Sequence, residues 1–314
     1  MASWQSNVLS WLLRRRMKQR FAGDIDVAKI RRATASKGRR APKYVTVTPV
    51  PTPDRNKNHG AAIHGEWIVP ADEPPALTVL YLHGGGYFFC SPQTHRAITI
   101  TLAKQLRAKV LALDYRLAPE HPFPAALEDA TDAFEWLTAH HTQPETLLVI
   151  GDSAGAGLAL ALTVALRDAQ RSQPLATIGF SAWTDLAATG ESLVYNDASC
   201  AMFHGQNVAK AAKLYVGTND PTHPLISPLY APLHDLSPIM LFASDSEVLL
   251  DDTLRFAERA RTAGTSVVVN IGHDLPHVWP IFTPFVPEAK RAMEQIICYV
   301  QAQRIERANA DALS

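Results

Sequence analysis

From about residue 78 onward, short β-rich apolar runs alternate with longer stretches of helical periodicity, and this alternation restricts the fold more than any other feature of the chain. Strands are expected at 78–82, 110–113, 147–150, 176–180, 239–243 and 267–271. Helices are expected at 97–106, 125–139, 156–168, 252–263 and 288–304. Strand, helix, strand in repetition builds a mainly parallel sheet, and such a sheet has to be covered by helices on both faces. The fold class is therefore α/β.

Two stretches break the alternation. Residues 1–45 read as helical and basic before any strand, and residues 186–236 carry helical patterns and Pro221, Pro224, Pro228 and Pro232 but no strand. Insertions that follow strand ends lie over the mouth of a sheet, where binding sites form. The two stretches are expected to make one composite lid, with the N-terminal part at 1–45 and the α/β body at 46–314.

A chain of 314 residues is long enough for one large α/β domain or two smaller ones. Lys+Arg and Asp+Glu both number 30, so net charge gives no argument for a nucleic-acid partner. Residues 1–43 hold twelve Lys/Arg against two Asp. That excess reads as a solvated helical face docked on an acidic body, in preference to contact with an acidic membrane surface. The apolar stretch at 8–13 precedes the basic cluster, unlike a secretion signal, and no run approaches the roughly 18 apolar residues of a membrane span. Stable membrane insertion is therefore not expected. Cys90, Cys200 and Cys298 are odd in number and far apart. They suggest reduced thiols in a cytoplasmic protein, with neither a disulfide frame nor metal-ligand spacing.

The chemistry is concentrated in a few short segments. Gly151-Asp152-Ser153-Ala154-Gly155 joins the strand at 147–150 to the helix at 156–168. This is the strand–turn–helix context of a nucleophile elbow, in which glycines permit close strand–helix approach and the serine hydroxyl projects from the carboxyl end of the sheet. Ser153 is the candidate nucleophile and the Ala154 N–H the first oxyanion donor. His83-Gly84-Gly85-Gly86 follows the strand at 78–82. Its backbone can face a cleft without side-chain obstruction, and Gly84 and Gly85 are the expected further donors. No Gly-Lys-Ser/Thr or Gly-x-Gly-x-x-Gly pattern accompanies these glycines, which counts against a phosphate loop. His83 is expected to anchor the loop. A general base must come from a loop after a late strand, and His277 is preferred over its neighbour His273. The orienting acid should follow the strand at 239–243. Asp251 and Asp252 suit the N-terminus of the next helix, and spacing leaves Asp245 and Glu247 open.

Together with Asp114-Tyr115-Arg116-Leu117-Ala118-Pro119-Glu120 and Pro276-His277, these segments resemble the hormone-sensitive-lipase family of bacterial carboxylesterases over about residues 45–305. The resemblance implies the α/β-hydrolase fold, a mainly parallel central sheet flanked by helices, with a helical cap. The family's Asp-Pro-Leu-x-Asp segment falls on Glu247-Val248-Leu249-Leu250-Asp251, which puts Glu247 in the acid's place. The resemblance further implies that Asp114, Tyr115, Arg116 and Glu120 buttress the elbow and that Trp183-Thr184-Asp185 supports the rim of the site. The implied activity is hydrolysis of small-molecule carboxylic esters with short to medium acyl chains, without metal or organic cofactor, in a protein that can form a homodimer. Two other readings of the same machinery are a non-catalytic small-molecule binder, as in plant hormone receptors that resemble these esterases, and an acyltransferase or amidase.

Overall fold

The computed structural model describes residues 2–19, 23–50, 63–72 and 74–311. Its strands are β1 (Val45–Pro49), β2 (Gly65–Pro70), β3 (Leu77–Leu82), β4 (Ala108–Leu113), β5 (Leu147–Asp152), β6 (Ala176–Phe180), β7 (Ile239–Ser244) and β8 (Val267–Gly272). The helices are α1 (Trp4–Leu13), α2 (Val27–Thr34), α3 (Arg96–Gln105), α4 (Ala125–His140), α5 (Ala154–Asp168), α6 (Ser192–Tyr195), α7 (Gly205–Val216), α8 (Leu250–Thr262) and α9 (Pro287–Asp311).

The strands form one sheet in the order β1-β2-β4-β3-β5-β6-β7-β8. From β4 to β8 every pairing is parallel, while β1–β2 and β2–β4 are antiparallel. The expected strands and helices appear within two residues of their expected limits, except that the last helix, expected to end at 304, runs to Asp311. The antiparallel pair β1 and β2 lies outside the expected alternation. Each of these two strands leaves much of its length half-exposed or exposed, so neither presents the apolar run that marks β3, β5 and β7, which are buried throughout.

Successive residues of a strand point to opposite faces. Leu80, Leu82, Leu111, Leu113 and Val149 accordingly pack on one face against Ala130, Phe134 and Leu137 of α4 and Leu158 and Leu162 of α5. Val79, Tyr81, Val110, Leu148 and Ile150 pack on the other against Ile98 and Leu102 of α3 and Met293, Ile296 and Val300 of α9. Ile239 and Leu241 of β7 meet Phe256, Ala257 and Ala260 of α8.

The parallel register brings Leu82, Gly151, Gly179 and Leu241 level, and Ser244 level with Gly272. The loops that carry the candidate chemistry therefore emerge from one edge of the sheet. Over that edge lie the N-terminal segment and residues 186–236. Lys18 Nζ donates to the backbone carbonyls of Asp197 and Cys200, and Arg14 to the Ser199 carbonyl. Leu13 packs with Ala201, Met202 and Val278. These N-terminal cations thus meet backbone oxygens, whereas Arg31 reaches a carboxylate, Glu120, at 2.7 Å.

Candidate active site

Ser153 lies between β5 and α5 with φ 53° and ψ −120°, a strained backbone for a residue with a Cβ. The surrounding sheet holds it there. Its N–H donates to the Phe180 carbonyl at 2.8 Å, and its carbonyl accepts the Trp183 N–H at 3.1 Å. The flanking glycines are a matter of space: a Cβ at Gly151 would lie 2.3 Å from the Gly155 oxygen, and one at Gly155 would lie 2.1 Å from the Leu82 oxygen.

His277 Nε2 lies 2.9 Å from Ser153 Oγ. Its Nδ1 bonds Glu247 Oε2, and both side chains are almost wholly enclosed. A carboxylate on the Nδ1 side fixes the ring proton there and leaves Nε2 facing the serine as an acceptor. The second oxygen of Glu247 accepts the Ser244 N–H at 2.9 Å, which locks the acid to the end of β7. The loop bearing His277 is pinned by Leu275 N–H to Ser244 Oγ at 3.2 Å and Val278 N–H to Ser181 Oγ at 2.9 Å. Asp245 and His273, the two alternatives, face each other: Asp245 Oδ2 lies 2.8 Å from His273 Nδ1 in a solvent-facing pair. Asn196 Nδ2 from the cap donates to the carbonyls of both Asp245 and Glu247, at 2.8 and 2.9 Å. Its role had no signal in the sequence.

The oxyanion loop corrects one expectation. The Gly84 N–H donates to Asp152 Oδ1 at 3.0 Å, in the core, so it is already spent. Among the described residues, the N–H groups of Gly85, Gly86 and Ala154 have no acceptor. Gly86, not singled out by the sequence, lines the same cavity as Ser153. Gly85 and Gly86 hold φ of 116° and 59°, and a Cβ at Gly85 would lie 2.1 Å from the Phe89 oxygen. Only glycine fits there without rearrangement.

Beneath this loop lies a buried polar cluster. Asp152 accepts from Tyr81 Oη at 2.7 Å and from the Gly84 N–H, and lies 3.3 Å from His95 Nε2. Burial pushes the Asp152 carboxyl up, but His95 and the Tyr81 hydroxyl outweigh it and hold it below the ordinary value. His83 stacks on Tyr115 with centroids 4.4 Å apart, and its Nδ1 donates to the Gly84 carbonyl at 2.7 Å. Burial, with His95 alongside, pushes His83 down to about 3. A neutral ring with these contacts is a loop anchor. Tyr115 supports the same loop, donating to the His83 carbonyl at 2.6 Å. Arg116 turns instead to Asp129 and Glu128 of α4, and Glu120 to Arg31 of α2.

The cavity at Ser153 is walled by Ile25, Phe88, Phe89, Trp183, Phe203, Val208, Ala211 and Leu249, with Asn207 among them. Its walls thus come from the N-terminal segment, the stretch after the oxyanion loop, the β6 exit and the cap. Phe203 also meets the His277 ring edge to face at 5.2 Å. Next to Trp183, the N–H groups of Thr184 and Asp185 both donate to Asp252 Oδ1, at 2.9 and 2.8 Å. Asp251 and Asp252 do sit in the first turn of α8.

Residues 79–281 match the model of a protein family described as having the alpha/beta hydrolase fold. An acetyl-hydrolase of Streptomyces hygroscopicus is 41% identical over 229 residues, covering 73% of this chain and 76% of that protein. An esterase of the bacterial hormone-sensitive lipase family superposes with a TM-score of 0.86 at 34% identity, covering 97% of this chain and 99% of the other. A crystal of EstE5 soaked with p-nitrophenyl butyrate superposes with a TM-score of 0.88 at 32% identity, covering 97% and 100%. The sheet order, the elbow and the match along almost the whole chain lead to one conclusion: this chain belongs to the α/β-hydrolase fold family, among its bacterial hormone-sensitive-lipase members.

Proposed function

We propose that the protein is a carboxylesterase that hydrolyses small carboxylic esters through an acyl-enzyme on Ser153. The observation that carries this reading is the buried chain of contacts from Ser153 Oγ to His277 Nε2, and from His277 Nδ1 to Glu247. Ser153 Oγ attacks the ester carbonyl carbon as its proton passes to His277 Nε2. The N–H groups of Gly85, Gly86 and Ala154 receive the developing oxyanion, and Glu247 stabilises the imidazolium. The tetrahedral adduct collapses, the bond to the alcohol oxygen breaks, and His277 returns the proton to that alcohol. Water then repeats the sequence on the acyl-serine and releases the acid.

The apolar cavity supports a small acyl group. It offers about 50 Å³ between apolar walls, which favours a short acyl chain over a long one. A crystal of the similar EstE5 was soaked with a butyryl ester. The N-terminal segment and residues 186–236 act as one cap over the cavity. We further place the protein in the cytoplasm, on its three unpaired cysteines. Among the described residues no helix is long and apolar enough to cross a membrane.

The test is a series of p-nitrophenyl esters of rising acyl length. Acetyl to butyryl esters should give the highest kcat/KM, with a fall of about tenfold or more by decanoyl, since two or three misplaced methylenes cost about 1.4 kcal/mol or more. A maximum at decanoyl would overturn the small-acyl reading.

A further inference from the structure

Among twelve histidines, His95 is buried beneath the oxyanion loop and touches neither the cavity nor Ser153. The protonation of its ring follows from its partners. Thr94 Oγ1 donates its hydrogen to the Ser91 carbonyl at 2.7 Å and accepts the Ser91 N–H at 3.0 Å. Toward His95 Nδ1, 2.8 Å away, Thr94 can then only accept, so Nδ1 carries a hydrogen. Nε2 faces Asp152 Oδ2 at 3.3 Å. The other oxygen of Asp152 already accepts from Tyr81 and Gly84, and these partners with His95 hold the carboxyl below its ordinary value against burial, so it is ionised. Both ring nitrogens therefore face acceptors, and the ring is an imidazolium.

We propose that His95 is a positioning residue: as an imidazolium paired with Asp152, it holds that carboxylate under the Gly84 N–H and thereby fixes the loop whose Gly85 and Gly86 N–H groups receive the oxyanion. The proposal rests on the acyl-enzyme reading given above. The coupling is short, because a Cβ on Gly84 would lie 2.3 Å from Asp152 Oδ2; the loop rests directly on the carboxylate. His83 cannot take this part, since its Nδ1 is committed to the Gly84 carbonyl and its ring is neutral near pH 7. The other groups packed here are also neutral: Tyr81 of β3, Tyr115 after β4, and Cys90, whose thiol burial pushes up to about 12. Arg96, next to His95 on α3, is engaged by Glu66 of β2. Burial works to lower the His95 pKa, but Asp152 outweighs it and leaves it above the ordinary histidine value. As pH rises through that raised value, Asp152 Oδ2 loses the His95 donor and the loop loosens. This places a fall in kcat on the alkaline side.

The experiment measures kcat and KM across pH for wild type, His95→Gln and Ser153→Ala on one short-chain ester. In His95→Gln, kcat should fall by about 10- to 100-fold, at or below the loss for one oxyanion donor. KM should stay within about twofold, as for an interaction made only in the transition state, and the alkaline fall should flatten. A wild-type kcat with an unchanged alkaline limb would overturn the proposal. Retained hydrolysis in Ser153→Ala would instead overturn the acyl-enzyme reading, so the two failures are separable. Nitrogen-15 NMR of wild type supplies a check that needs no variant. His95, assigned through contacts to Tyr81 and Thr94, should carry both ring protons above the ordinary histidine pKa, and a neutral His95 there would overturn the proposal.

Discussion

Glu247 stands where the family resemblance leads one to expect an aspartate, and its extra methylene lets the carboxylate span from the Ser244 N–H to His277 Nδ1. The longer side chain has more rotamer freedom to lose, and complete burial between β7 and the cap holds it in one place. Glu247→Gln should lower kcat about 10⁴-fold, as an amide orients the imidazole in the wrong tautomer and cannot stabilise the imidazolium. Asp245→Asn should leave kcat within about twofold, as expected of a surface change worth under ~0.5 kcal/mol. Parallel steady-state kinetics on the two variants checks this, and a larger loss for Asp245→Asn would reassign the acid. The sequence carried the serine and the histidine clearly but left these two carboxylates open by spacing. What separates them is the partner each meets, and the surface contact of Asp245 with His273 is a tertiary fact. The same holds for Gly84. Nothing in a run of three glycines says which N–H is spent, because the answer depends on Asp152 lying underneath.

The elements that carry the site are tied to each other through carboxylates at helix starts. Asp252, in the first turn of α8, accepts the N–H groups of Thr184 and Asp185 at the exit of β6, beside Trp183 in the cavity wall. Replacing it with alanine leaves two buried donors without an acceptor, each costing about 1–3 kcal/mol. Asp252→Ala should therefore lose about 2–6 kcal/mol of unfolding free energy in urea, and a loss below ~0.5 kcal/mol would show that the tie does not matter. At this level the sequence was informative where strands are central and apolar, and less so elsewhere. β3 to β7 read clearly because they are buried along almost their whole length, and β8, although partly exposed at one edge of the sheet, keeps the apolar run Val267-Val268-Val269. β1 and β2 did not, since a strand with solvent on one side lacks that signature. The stretch 186–236 read correctly as free of strands, but the contacts of Asn196 and Phe203 with the site depend on where the cap folds back.

The molecule as a whole holds a neutral histidine in its core beside the active site, and acid should expose that cost. His83 takes its proton at about 3 in the folded protein, against an ordinary value of 6.5. Below that ordinary value the unfolded chain binds a proton that the fold refuses, so the stability contributed by a neutral His83 is complete above it and is lost as pH falls toward about 3. One unit of separation is worth about 1.36 kcal/mol, so even half of this difference amounts to roughly 2 kcal/mol. Asp252 acts in the opposite sense, because burial raises its pKa and its protonation favours the fold as pH drops. Urea midpoints measured from neutral to mildly acidic pH, in wild type and His83→Gln, isolate the histidine's share. The wild type should lose more stability over that window than the variant, and parallel slopes would contradict the assignment.

The catalytic consequences all depend on a covalent bond forming at one oxygen atom. The direct measurement is acid quench of the enzyme during turnover of p-nitrophenyl butyrate, followed by intact-mass and peptide mass spectrometry. One butyryl group should appear on the peptide containing Ser153, and none should appear on Ser153→Ala under the same quench. Turnover with no acyl group on the protein, or with the label on another residue while Ser153→Ala retains its rate, would contradict the account.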